Sequence, residues 1–350
     1  MACKASERIL GRTMRALEIE NDLISTTVLL DKGADIYRLI YKPKDTDVMW
    51  KSPWGLKEAA RGFHAASDSI TAWLEAYAGG WQVLFPNGGF ANTYKGVELG
   101  YHGAASMKAW DYEVLQESAA AIEVRLSARL SRSPYTIERW MRLEARCPIM
   151  RIRERITNHA GEPMDCMWSH HPAFGAPFLS EHCVIDTDAR VLESDDQYAG
   201  AANPLALGTE YNWPLAGSLD LSTIPPPNQP RDLLGYLKDF ESGWYSITNR
   251  DLGFGIGFTW DKDVFPYAWF WQELNSSPGF PFYKCAYVIA IEPASSIPGH
   301  GLSAVMEKTG SHLTLQPGES REVEMNVVFF DSRAGLKRID GDGNVRIDAH

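Results

Sequence analysis

The clearest regularity in the chain is an alternation of apolar and polar residues with period two. Ile122, Val124, Leu126, Ala128 and Leu130 alternate with Glu123, Arg125, Ser127 and Arg129. This pattern predicts a half-buried antiparallel strand. Residues 136–143 and 150–158 repeat it. In the second of these, Arg151, Arg153 and Arg155 share one side, and Ile152, Glu154 and Ile156 the other. We read the arginine side as a solvated, ion-paired face rather than a ligand surface. Leu17 to Asp35 predicts two strands around a turn, with Asp31-Lys32-Gly33 as turn chemistry. Further strands are expected at 36–41, 252–259 and 287–292, with a final hairpin between His312 and Phe330 turning at Pro317-Gly318. Gly79 to Gly103, rich in Gly and Asn, reads as loop, and a short helix is expected near Lys57 to Arg61. Pro225-Pro226-Pro227 marks a stiff surface loop. Short strands, frequent turn signals, no internal repeat and no dividing linker predict an all-β sandwich or barrel. We place one domain at residues 17–332, between an N-terminal extension (1–16) and a polar, fraying tail (333–350).

Composition narrows the partners. The formal net charge is −11 over 350 residues, without the clusters of Lys and Arg that displace counterions from a nucleic acid. No nucleic-acid partner is expected. Aromatic residues make up 11%, which suits a sugar, whose C–H faces pack on rings while its hydroxyls bond at the edges. The five cysteines show no metal-ligand spacing and read as free thiols of a reducing compartment. The chain opens without an apolar signal run, and no stretch approaches the length of a membrane span. A cytoplasmic protein with no membrane partner is expected, monomeric or homodimeric.

Candidate chemistry is sparse. His102 closes the Gly/Asn-rich loop in Tyr101-His102-Gly103. His170 and His171 follow a strand-like run and precede Pro172, which interrupts regular pairing. Glu292 ends the apolar run Val288-Ile289-Ala290-Ile291 and precedes Pro293. An acid at the end of a buried strand is costly unless it has partners or a function. Burial would raise its pKa toward the range useful to a general base. No His-Glu-x-x-His zinc motif and no Gly-x-Ser-x-Gly elbow occur. Gly253-Phe-Gly255-Ile-Gly257 lacks the spacing of a phosphate loop and reads as close strand packing. No cofactor and no metal are expected.

These pieces together resemble the aldose 1-epimerase, or galactose mutarotase-like, family over residues 17–330. Residues 31–39 followed by Asp47-Val48-Met49-Trp50 are similar to that family's opening hairpin, His102-Gly103 to its His-Gly loop, and His171-Pro172-Ala173-Phe174 to its His-x-x-Phe motif. Ile291-Glu292-Pro293 is similar to the late strand that carries its glutamate. The resemblance implies a β-supersandwich with its active site on a concave sheet face. It implies Glu292 as general base at the anomeric hydroxyl, His171 as general acid at the ring oxygen, and His102 as a hydrogen-bonding support. Acid and base are expected on opposite sides of one C–O bond. Where the family carries an Asn-Arg pair, this chain has Ala91-Asn92-Thr93, so galactose itself is not implied. Asn87 is the candidate to serve in place of the missing Arg, and the resemblance would match the family's hydroxyl-binding Asp to Asp239. Trp81, Trp269, Trp271 and Gln272 are candidate contacts from their aromatic, loop-flanked segments, with the tryptophans either lining the cleft or filling the core. His170 is a candidate as the neighbour of His171. The activity expected is sugar anomer interconversion. A carbohydrate lyase or glycosidase, and a non-catalytic carbohydrate-binding protein, are the alternatives.

Overall fold

A computed structural model describes residues 3–57 and 68–347, so the helix expected near Lys57 to Arg61 lies almost entirely outside the described residues. Two antiparallel sheets, of 12 and 8 strands among the described residues, carry the fold. The first contains Lys4–Leu10, Met14–Glu20, Ile24–Leu29, Asp35–Tyr41, Trp81–Leu84, Ser169–Gly175, Tyr287–Ala294, Tyr267–Leu274, Arg231–Lys238, Val191–Ser194 and Glu210–Asn212, in that spatial order, with the short Thr46–Asp47 paired to Asp35–Tyr41 off this path. The second contains the strongly alternating strands Ala121–Arg129, Tyr135–Glu144 and Ile149–Asn158, with Ser320–Phe330 and Phe254–Trp260 beside them. Aromatic side chains join the two sheets. Trp81 meets Phe258 at 5.1 Å between ring centroids, and Tyr41 stacks on Phe329 at 5.0 Å. The result is a two-sheet, all-β sandwich.

Several segments depart from the sequence reading. Residues 4–10, expected in an extension, pair along their full length with Met14–Glu20. The expected loop at 79–103 contains the strand Trp81–Leu84, bonded between Asp35–Tyr41 and Ser169–Gly175. Its four residues are all buried, so no alternation exposes it. Leu313–Leu315 does not form a hairpin with Ser320–Phe330 but pairs with Met164–Cys166. The tail is folded as far as residue 347, as the hairpin Leu336–Ile339 and Val345–Ile347. Ile339 packs so closely on Phe254–Trp260 that a Cβ at Gly257 would lie 2.2 Å from its Cδ1. The glycine run is therefore close packing. Arg151, Arg153 and Arg155 face outward, and Arg155 pairs with Glu138 at 2.6 Å, while Glu154 turns inward as the alternation requires. A helix at Ser69–Ala76, capped by Asp68 accepting from the Thr71 amide at 2.8 Å, was not foreseen.

Candidate functional site

The strand register sets the site. Ser169–Gly175 pairs with Tyr287–Ala294 through Ser169↔Ala294 and Ala173↔Ala290. Two residues in from each of these pairs, His171 falls opposite Glu292. Pro172 and Pro293 lack the N–H groups that would close the ladder there. Trp269 stands opposite Glu292, Tyr236 opposite Trp269, and Gln82 opposite His171. Directly opposed residues share a sheet face. Tyr236, Trp269, Glu292, His171 and Gln82 thus form one row across five neighbouring strands. His171 Nε2 lies 3.7 Å from Glu292 Oε1, in contact but beyond a hydrogen bond.

Above this row is a cavity of about 630 Å³, within the ordinary range for a small-molecule site. His171, Glu292, His102, Trp269 and Trp271 all line it, together with Trp73, Tyr77, Tyr101, Asp195 and His300. His102 arrives on a tight loop. Its φ is +55°, and a Cβ on the following Gly103 would lie 2.4 Å from the Phe85 carbonyl oxygen. The Gly89 amide donates to His102 Nδ1 at 3.1 Å, so the neutral ring carries its proton on Nε2. His102 meets Trp73 at 4.6 Å, and His171 meets Trp271 at 5.6 Å.

Burial governs the protonation of these groups. It pushes the Glu292 carboxyl well above its usual range. It lowers His171 to about 4, and it holds His102 well below the usual imidazole value with further opposition from His171 and Lys32. A carboxyl that resists ionising beside an imidazole that resists protonating makes a pair with one proton and no net charge. Glu292 Oε2 and His171 Nδ1 have no hydrogen-bond partner.

At the far end of the cavity, His300 Nε2 sits 2.8 Å from Asp195 Oδ2, and the same oxygen accepts from the Tyr236 hydroxyl. Asp195 Oδ1 accepts from the Gln197 and Tyr198 amides. Asp195, Asp196 and His300 are spaced closely enough to hold a metal ion. Their donor atoms are already engaged, and the Lys308 ammonium lies 2.8 Å from Asp196 Oδ2 and 3.5 Å from His300 Nδ1. The chain's own ammonium thus already lies against two of the three groups.

Five of the sequence candidates lie elsewhere. His170 faces the space between the sheets, where Trp81 Nε1 donates to its Nδ1 at 3.0 Å, so both residues belong to the core. Gln272 also faces inward and accepts from Arg231 Nε at 2.7 Å. Asn87 uses its whole bonding capacity on the loops, donating to the Phe90 and Gly100 carbonyls and accepting from Leu302 N and Asn92 Nδ2. Asp239 is exposed just beyond its strand and lines a different cavity with Glu193 and Lys238. Sequence reasoning missed Trp73, Tyr77, Tyr101, Asp195 and His300. Only His300 carried a signal, because it is flanked by glycines in Gly299-His300-Gly301, much as His102 precedes Gly103.

The solved structures that superimpose on the chain share its galactose mutarotase-like fold. A Klebsiella pneumoniae protein provisionally assigned as an aldose 1-epimerase matches with a TM-score of 0.70 and 17% identity, covering 95% of this chain and 84% of its own. A galactose mutarotase-like protein from Clostridium acetobutylicum matches with a TM-score of 0.70 and 14% identity, over 94% of this chain and 99% of its own. One from Lactobacillus casei gives 0.61 and 16%, over 90% and 100%. At these identities the likeness shows the fold alone. The chain belongs to the family described as Domain of unknown function (DUF4432), whose model matches residues 11–328. No curated protein matches it. No helix among the described residues is long and apolar enough to cross a membrane.

Proposed function

We propose that this chain is an aldose 1-epimerase acting on an uncharged sugar, with His171 and Glu292 as its acid–base pair and His102 as a supporting donor. The observation that carries the proposal is the meeting of His171 and Glu292, 3.7 Å apart, at the cavity floor. At that separation no sugar fits between them, so they do not flank a bond from opposite sides. The two oxygens concerned, the anomeric hydroxyl and the ring oxygen, are both attached to C1. Two groups side by side can reach both. One takes the hydroxyl proton while the other gives a proton to the ring oxygen. The C1–O5 bond breaks, the open aldehyde turns about C1–C2, and the reverse transfers close either anomer. The pair begins and ends with one proton.

Trp269 and Trp271 supply flat apolar surface for the sugar's C–H face. Among the described residues, carboxylates and imidazoles line the cavity but no lysine or arginine does, which favours an uncharged substrate over a phosphorylated or sulfonated one. A glycosidase needs a second available carboxylate, and Asp195 is fully engaged. A binding module would have no cause to bury an acid and an imidazole without partners. The test is NMR saturation exchange between anomers across neutral, deoxy, acidic and sulfonated aldoses. Acceleration by the wild type, lost in Glu292→Gln and His171→Asn while sugar binding persists, supports the reading. Equal exchange rates in the wild type and both variants would remove it.

A further inference from the structure

The cavity wall holds a buried hydroxyl that has no partner and that the proposed reaction has not used. Tyr77 follows the helix Ser69–Ala76, and its amide donates to the Leu74 carbonyl at 3.3 Å. Its ring is clamped, stacked on Trp73 at 4.8 Å and tilted against Trp50 at 5.4 Å. The edge-on contact with His171 is 5.6 Å between centroids at 81°. Tyr77 is 5% exposed and lines the same cavity as His171 and Glu292. Its hydroxyl has no hydrogen-bond partner, and neither has Glu292 Oε2. Buried tyrosine hydroxyls normally find partners. If packing alone were required, phenylalanine would fill this clamp without stranding a hydroxyl. A stranded donor and a stranded acceptor beside the same imidazole suit a bond that forms only when one of them becomes charged.

We infer that Tyr77 is a positioning residue of the reaction, whose hydroxyl donates to the Glu292 carboxylate in the ionised state through which the proton transfers pass. This rests on the mutarotase reading for its purpose, though not for its test. The phenol remains protonated, and so remains a donor, because burial and then the nearby Glu292 and Asp35 charges push its pKa well up. A hydrogen bond that the carboxylate gains only in its ionised state stabilises charge where it develops, and the clamped ring keeps the donor close by. The other titratable groups around Glu292 are His171 on the adjacent strand, Tyr101 on the cavity wall and Tyr245 from the opposing sheet. The Lys32–Asp35 ion pair lies behind the histidines, with Lys32 Nζ 5.7 Å from the Trp73 ring.

The experiment compares the wild type with Tyr77→Phe by three measurements. Removing a donor to the charged form must raise the carboxyl's pKa. ¹³C NMR of the Glu292 carboxyl, assigned with Glu292→Gln, is therefore expected to titrate about one pH unit higher or more in Tyr77→Phe. On any sugar the wild type accelerates, kcat is expected to fall about 10- to 100-fold with KM little changed. The melting temperature is expected to stay level or rise. An unshifted Glu292 titration overturns the inference whether or not any sugar turns over. So does a melting temperature lowered by several degrees, which would reveal a structural partner for the hydroxyl. A wild type that accelerates no aldose sinks the mutarotase reading alone, and the titration still decides the role of Tyr77.

Discussion

Glu154→Gln should cost this fold several kcal/mol at neutral pH and almost nothing in strong acid. Glu154 is fully buried between the sheets. Its Oε1 accepts from Arg139 Nε at 2.5 Å, its Oε2 accepts from Trp168 Nε1 at 3.2 Å, and His170 Nε2 lies 3.2 Å away. Arg139 is equally buried and also donates to the Ala34 carbonyl at 2.8 Å. Removing the carboxylate charge leaves the guanidinium uncompensated in the core, which costs about 3–5 kcal/mol. An independent route gives a similar figure. Burial alone would raise the Glu154 carboxyl, but Arg139 and His170 outweigh it and hold it at about 2, from an ordinary 4.5. That depression is worth about 3 kcal/mol at neutral pH. The sign follows from linkage. A depressed carboxyl contributes its full stability above pH 4.5 and loses it as the pH falls toward 2. With an unfolding entropy of about 2.1 cal/mol/K per residue, the variant should melt about 4–7 °C below the wild type at pH 7. Thermal melts followed by circular dichroism at a series of pH values read this directly. The gap should close as the pH falls from 4.5 toward 2. A gap under about 1 kcal/mol at pH 7, or one that is the same at pH 3 as at pH 7, would refute the reasoning.

Two further outcomes follow from the site. The pH–rate profile should be flat through neutrality, with its acid limb near pH 4, where His171 takes a second proton, and its alkaline limb where the pair loses its single proton. An acid limb near the ordinary histidine value of about 6.5 would contradict the burial argument. Gly89→Ala should lower both stability and turnover. Gly89 has φ +74°, an added Cβ would lie 1.7 Å from the Gly299 carbonyl oxygen, and the Gly89 amide fixes His102. Gly96→Ala, at φ +82° with open space around it, should cost only the backbone strain of about 1–2 kcal/mol, and denaturant melts of the two variants should separate accordingly.

Much of this was legible in the residues and some was not, for identifiable reasons. The alternating strands at 121–158 announced themselves because one face is wet and the other dry. Trp81–Leu84 was hidden because all four of its residues are buried. His171 and Glu292 stood out as a histidine and an acid each followed by proline. Their pairing depends on a register between segments 121 residues apart, which no local pattern encodes. Alternation did contain more than was drawn from it. Trp269 and Trp271 share a face, so Gln272 must point to the other side. The aromatic wall at Trp73, Tyr77 and Tyr101 stayed invisible because it comes from a helix end and a loop, where no periodicity marks which side chains turn inward.

The separation of roles between His170 and His171 follows from that same alternation. The two are chain neighbours on one strand, so they project to opposite faces. His170 enters the intersheet core, where Trp81, Glu154 and Arg139 supply it with a fixed polar setting. His171 enters the cavity, where its Nδ1 and Glu292 Oε2 are left without partners. The core partners stabilise the strand, and the strand in turn holds His171 against Glu292 although that contact is itself unfavourable to burial. A defect in the Glu154 cluster should therefore reach the cavity through one peptide bond, and a defect in the dyad should leave the core untouched. Glu154→Gln is accordingly expected to lower both stability and turnover, whereas His171→Asn is expected to lower turnover alone.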